Sequence, residues 1–109
     1  MNIIEKIKLK WNEIFEIPEA AVASAEGVLV PMGADQKMVI LLTATASTTA
    51  TIKAGDGIQA TEDIEISLES GKTAAVSVES GKFLITTGEN KGNILVIGEN
   101  IKVQAIELP

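Results

Sequence analysis

The sequence predicts an all-β fold: a small β-sandwich of seven or eight short strands, Ig-like or jelly-roll-like, preceded by an amphipathic helical arm. Apolar and polar residues alternate with a period of two through most of the chain after residue 26. Glycine-containing turn signals recur about every ten residues, a spacing typical of sandwiches and small barrels. Hydrophobic residues make up 46% of the chain but aromatics only 3%, so the core must consist of Val, Ile, Leu and Ala.

The first element, residues 2–16, is predicted to be a helix with one apolar face. Its apolar residues are spaced by three and four, and Asn2 can cap the helix with Glu5 three residues later. The competing pattern is Lys6-Ile7-Lys8-Leu9-Lys10-Trp11, which alternates like a strand; helix is preferred because more apolar positions fit it. Pro18 ends the helix. The residues expected to form the interface face are Ile3, Ile4, Ile7, Trp11, Ile14 and Phe15.

An apolar stripe of this size has two interpretations of equal weight, because it indicates only that something covers it. The arm either packs on its own domain or docks on a partner or a sister subunit. The predicted organisation is an arm over residues 1–18, a linker of small and polar residues over 19–26, and a β-sandwich domain over 27–109.

The strands follow in order from alternation and turn signals. Residues 37–45 are the most apolar run and are predicted to form a central strand. The last strand is predicted to carry a bulge near its end. The full set of predicted strands is 27–32, 37–45, 49–54, 63–68, 73–78, 82–86, 93–97 and 101–108.

Two turn motifs occur twice. Glu69-Ser70-Gly71-Lys72 returns as Glu79-Ser80-Gly81-Lys82, and Gly88-Glu89-Asn90 returns as Gly98-Glu99-Asn100. Glycine and asparagine accept the positive φ that tight turns require. These repeats are interpreted as repeated turn chemistry in a meander and not as a duplicated functional module.

Charge and composition exclude several partners. The net charge is −6 and all nine basic residues are lysines, which argues against a nucleic-acid partner and against an anionic membrane surface. No apolar run is long enough for a signal peptide or a membrane span. The absence of cysteine removes disulfides, zinc thiolates and thiol catalysis, and it fits assembly in a cytoplasm.

No catalytic or cofactor site is expected. The chain lacks His, Cys, Tyr and Arg, so acid–base work would fall to carboxylates or lysine. Ser70-Gly71-Lys72-Thr73 resembles the end of a P-loop, but Ile66 occupies the position of the first glycine. Asp56, Glu62 and Asp63 do not follow the calcium-binding pattern of an EF-hand. We therefore expect no enzyme activity, no metal and no cofactor.

A longer pattern carries a resemblance. It comprises GVLVPM, an apolar strand, ATIKAGDGIQ, a D-x-E strand, GKTAAV, ESGKF and a closing KVQAIELP, spread over residues 26–109. This pattern resembles the small β-sandwich virion proteins of tailed bacteriophages that act as head decoration proteins. Residues 1–17 lie outside the resemblance.

The resemblance implies a structural function. Such proteins bind the major capsid protein on the outer surface of the phage head, commonly as homotrimers at local three-fold positions, and stabilise the shell after assembly in the host cytoplasm. The alternative is a tail-associated or cell-surface carbohydrate-binding module, since β-sandwiches serve both uses. Sugar sites usually present exposed aromatic residues, and outside the arm only Phe83 is available.

Overall fold

The computed structural model describes residues 2–17, 21–23, 26–33, 36–60 and 62–109. The described residues form ten strands and one short helix: β1 (Asn2–Ile3), β2 (Lys6–Lys8), β3 (Ala21–Ala23), β4 (Val28–Pro31), β5 (Lys37–Ala44), β6 (Thr48–Ile52), β7 (Ile64–Leu68), β8 (Thr73–Glu79), α1 (Ser80–Phe83), β9 (Asn93–Ile97) and β10 (Ile101–Glu107).

The strands form two sheets packed face to face, so the prediction of an all-β chain with the layers of a small β-sandwich is confirmed. Sheet A has the order β1-β4-β9-β6-β7. Sheet B has the order β2-β10-β5-β8, and β3 pairs with the first half of β10. Strand β5 lies inside its sheet, between β10 and β8, as its apolar sequence predicted.

The core lies between the sheets and is filled by alternate residues of each strand. In β5, Met38, Ile40 and Leu42 are fully buried, while Val39 and Leu41 point to the outer face of sheet B. Burial of such a side chain stabilises the fold by roughly 1.5–3 kcal/mol. Sheet A supplies the opposing layer from Val28, Val30, Ala50, Ile52, Ile94 and Val96.

The prediction of a helix over residues 2–16 is wrong. Strand β1 pairs in parallel with β4, and β2 pairs in parallel with β10. The chain therefore crosses from sheet A to sheet B at Ile4, which is buried in the core and whose N–H donates to the Leu29 carbonyl at 2.9 Å. The alternating lysine pattern, which competed with the helical one, therefore indicated the correct structure. These residues form strands because each sheet offers an edge with which they can pair.

Part of the predicted linker also belongs to a sheet. Residues 21–23 form β3, which is antiparallel to β10 with Ala23 opposite Ile101. The residues on either side, 18–20 and 24–25, lie outside the described residues.

The two copies of the Glu-Ser-Gly-Lys motif adopt different structures. The first is the turn that leads the chain from β7 in sheet A to β8 in sheet B, and Gly71 has φ 83° there. The second begins α1, so the predicted strand over 82–86 is wrong. Gly55 accounts for the difference: its N–H donates to the Lys82 carbonyl at 3.0 Å, and a side chain at Gly55 would collide with the Leu84 carbonyl. The predicted bulge in β10 is also wrong, since its pairing with β5 is continuous.

Candidate docking surface

Beyond β2 the chain exposes a series of large apolar side chains. Residues 10–17, which we call the docking segment, contain neither helix nor strand. Asn12 interrupts regular structure with φ 62°, a backbone conformation that asparagine tolerates better than most residues. The exposed side chains are Trp11 (80% exposed), Ile14 (98%), Phe15 (36%) and Ile17 (42%). Four large apolar side chains exposed within seven residues are more than scattered surface residues, and exposed apolar groups of this kind mark candidate interaction surfaces.

The six residues predicted for the interface divide into three groups. Trp11, Ile14 and Phe15 all lie in the docking segment and are exposed. Ile4 is 7% exposed and packs in the core. Ile3 is exposed at the edge of sheet A opposite Leu29, and Ile7 is half-buried on the outer face of sheet B opposite Ile106.

An ionic anchor holds the strand that precedes the docking segment. Glu107 is the last residue of β10. It lies on the same side of the strand as the core residues, and its side chain is only 3% exposed. Its Oε1 accepts a hydrogen bond from Lys6 Nζ at 2.7 Å, and its Oε2 lies 3.4 Å from Lys8 Nζ. Lys6 Nζ also lies 3.5 Å from Gln36 Oε1, which accepts the Gly33 N–H at 2.7 Å.

The lysines determine the charge state of this anchor. Burial raises the pKa of the Glu107 carboxyl and is the largest single influence. The hydrogen bond and positive charge of Lys6, together with those of Lys8, outweigh burial and hold the pKa below its ordinary value of 4.5. The carboxylate is therefore ionised at neutral pH and can fix both lysines of β2.

Sequence reasoning missed Glu107 as a member of the site. The signal was present, because Ile101, Val103 and Ala105 alternate toward the core and Glu107 continues that series. A carboxylate at a core-facing position requires partners. Which residues provide them could not be read from the sequence, since Lys6 is 101 residues away along the chain.

A second surface that the sequence did not reveal is the outer face of sheet B. Ile106 lies opposite Ile7 on one side and Val39 on the other, and Leu41 lies opposite Ala75 in the next row. Four of these five residues are half-buried and Ala75 is exposed. Gln104, opposite Leu41, and Ser77, opposite Val39, are the polar residues among them, so the centre of this face is largely apolar and carries no charge. The sequence did contain a sign of this surface, because β5 is apolar at its outward-facing positions as well as at its core-facing ones.

Two acidic loop residues, Asp56 and Asp63, hydrogen-bond to other segments of the same chain. Asp56 accepts hydrogen bonds from Thr86 N, Thr86 Oγ1 and Thr87 Oγ1 at 2.7, 2.6 and 2.7 Å. These bonds, that of the Thr86 hydroxyl above all, lower the pKa of Asp56 to about 2. Asp63 accepts the Ala54 N–H and the Lys53 ammonium, each at 2.7 Å. Both carboxylates therefore hold their loops in place through these bonds.

Within the described residues, no group of three or more potential ligand side chains could hold a metal ion. No helix in that part of the chain has the length and apolar character needed to cross a membrane. The chain was compared with family models, with curated proteins and with solved structures, and no significant match was found in any of the three.

Proposed function

We propose that this protein is a structural, non-catalytic component of a phage head, a decoration protein that binds the outer surface of the shell through its docking segment. The observation that carries the proposal is the exposure of Trp11, Ile14 and Phe15 in one segment directly after β2. Buried aromatic and large aliphatic side chains contribute most of the energy of protein interfaces. The identity of the partner, the major capsid protein, rests on the sequence resemblance.

The anchoring of the segment supports this role. Residues just before it pair with both sheets, and Glu107 holds Lys6 and Lys8. A segment fixed at its base loses less conformational freedom on docking than a free tail does. Many copies bound to one shell, as trimers at local three-fold positions, gain further through avidity.

The position of Phe83 disfavours the carbohydrate-binding alternative. Phe83 is 5% exposed and packs in the core, so the only aromatic residue outside the first fifteen has no free ring face. A sugar would have to stack on Trp11 or Phe15, the same residues that the proposal assigns to the shell.

The proposal is tested by adding the purified protein to expanded heads that lack decoration. Co-sedimentation should reach a plateau at a fixed ratio of protein to capsid subunit, and the temperature at which packaged DNA is released should rise. Unexpanded proheads serve as the comparison. Binding that does not saturate, or saturable binding to glycans with none to heads, would contradict the proposal.

A further inference from the structure

Strand β8 forms an unusually open edge of sheet B. It pairs with β5 along its full length, and no other strand in the described part of the chain covers its outer side. Edge strands are commonly protected by a central charge, a proline or a bulge. Strand β7, at the edge of sheet A, has Glu65 at such a position, but β8 has no charge or proline before Glu79 at its end.

The hydrogen-bond pattern identifies the backbone groups that this edge offers. Ala44 N donates to the Lys72 carbonyl at 2.9 Å, so that carbonyl and the backbone groups of every second residue after it point toward β5. The N–H and C=O groups of Thr73, Ala75 and Ser77 point away from the sheet, as does the N–H of Glu79, whose carbonyl begins α1.

An acidic depression lies at the far end of the same strand. Its volume is about 400 Å³, and its lining includes Glu62, Asp63, Glu79 and Ser77. Lys82 also lines it, and Asp63 is paired with Lys53 at 2.7 Å, so the three carboxylates outnumber the two ammonium groups near them. Lys72, the residue before β8, lies at the opposite end of the strand and is exposed. The edge thus has a positive end and a negative end.

We infer that two copies of this chain pair edge to edge through β8, antiparallel, with the two-fold axis at Val76. This register places Thr73 opposite Glu79 and Ala75 opposite Ser77 of the second copy, so the outward groups of Ala75 and Ser77 are fully paired and the Glu79 N–H meets the Thr73 carbonyl. Lys72 of each copy then lies at the acidic depression of the other. A parallel arrangement would place Lys72 beside Lys72 and Glu79 beside Glu79, which is repulsive.

The pairing also accounts for the packing at this edge. Ala74 and Val76 face the core but are only half-buried, and a second copy would cover them. The outer faces of the two sheets B would join, which extends the apolar surface of Val39 and Leu41 across the contact. Such a contact uses the same patch on both copies, as two-fold interfaces do. The contact involves no residue of the docking segment, so the inference of a dimer does not depend on the proposal that the protein binds phage heads.

Sedimentation equilibrium of the full-length protein in the absence of heads tests the pairing. The expected mass is twice the 11.5 kDa of the chain. Lys72→Glu and Glu79→Lys should each raise the dimer dissociation constant at least about tenfold, and the two together should restore it, because the charges exchange places. Lys91→Glu, a charge reversal in an exposed loop, should have no effect.

Ser77→Pro provides a second test. The Ser77 N–H points away from β5, so proline removes no hydrogen bond within the chain but blocks the edge. This variant should sediment as a monomer with an unchanged circular dichroism spectrum. A monomeric wild type at sub-millimolar concentration, a trimer, or a dimer that Lys72→Glu and Ser77→Pro leave intact would overturn the inference.

Discussion

Glu107 and Ile4 together determine where the N-terminal residues lie. The pattern Lys6-Ile7-Lys8-Leu9-Lys10 repeats every two residues. The buried carboxylate requires a lysine beside it, so it disfavours a shift of β2 by one residue, which would place Ile7 there. A shift by two residues would keep both ion pairs, but it would remove Ile4 from the core and break its hydrogen bond to the Leu29 carbonyl.

Glu107→Gln should therefore destabilise the protein at neutral pH. The expected loss in the free energy of unfolding is about 2 kcal/mol, the scale of hydrogen bonds to a charged group, because both lysines retain access to water. Urea denaturation monitored by circular dichroism measures the loss. Glu89→Gln, at an exposed position, is the matched control and should leave stability unchanged.

The pH dependence has a defined sign. Because the folded-state pKa of Glu107 is lowered from 4.5, its stabilisation is complete above pH 4.5 and is lost as the pH falls through the folded-state value. The wild type and Glu107→Gln should therefore converge in stability as the pH falls below 4.5. A difference that stays constant across this range would show that the carboxylate charge contributes nothing.

At the scale of elements, two isoleucines that a helix would have placed on one face occupy opposite environments. Ile4 is 7% exposed and Ile14 is 98% exposed. Ile4→Ala should lower the free energy of unfolding by about 3 kcal/mol, through lost burial and the remaining cavity. Ile14→Ala should change it by less than about 0.5 kcal/mol. Equal effects, measured by denaturation, would favour the helical arrangement.

The repeated turn motif allows a similar comparison. Gly71 has φ 83°, so Gly71→Ala should cost roughly 1–2 kcal/mol from backbone strain alone, since no atom lies within 4 Å of the added methyl group. In Gly81→Ala the methyl group meets only the flexible end of Gln59, and alanine favours α1, so stability should change by less than about 0.5 kcal/mol. Thermal unfolding distinguishes the two outcomes. A cost at Gly81 equal to that at Gly71 would indicate one shared turn conformation.

These elements also show what the sequence can predict. Strands β5 to β10 were predicted within two residues at each end, because each has one face buried in the core and alternates accordingly. The N-terminal strands and α1 were not, because contacts far along the chain decide them: β1 with β4, β2 with β10, and Gly55 with Lys82. Of the site, Trp11, Ile14 and Phe15 were singled out from the sequence and are exposed, while their role as an interface stays a prediction; the anchor at Glu107 was not anticipated.

At the scale of the whole molecule, the fold separates two surfaces. The docking segment follows β2 at one edge of sheet B, and the open edge of β8 lies at the other, with β10 and β5 between them. The two proposed contacts, with a shell and with a second copy, therefore use different edges and do not exclude each other. On an icosahedral shell, a two-fold contact of this kind would connect neighbouring three-fold positions.

The docking segment must be tested by substitution and not by truncation. Deleting residues 1–17 would remove β1, β2 and the core residue Ile4, and the remaining chain would lose stability for reasons unrelated to docking. Trp11 and Ile14 are the most exposed of the docking residues, so their replacement should leave the fold intact. Ile58, fully exposed in a loop outside the segment, provides the matched control.

The decisive measurement is the binding isotherm of Trp11→Ala/Ile14→Ala on expanded heads, beside the wild type and Ile58→Ala. We expect the double variant to raise the dissociation constant at least about a hundredfold, as loss of two central interface residues does, with unfolding unchanged. Ile58→Ala should bind like the wild type. Wild-type affinity in the double variant would contradict the assignment of residues 10–17 as the docking surface.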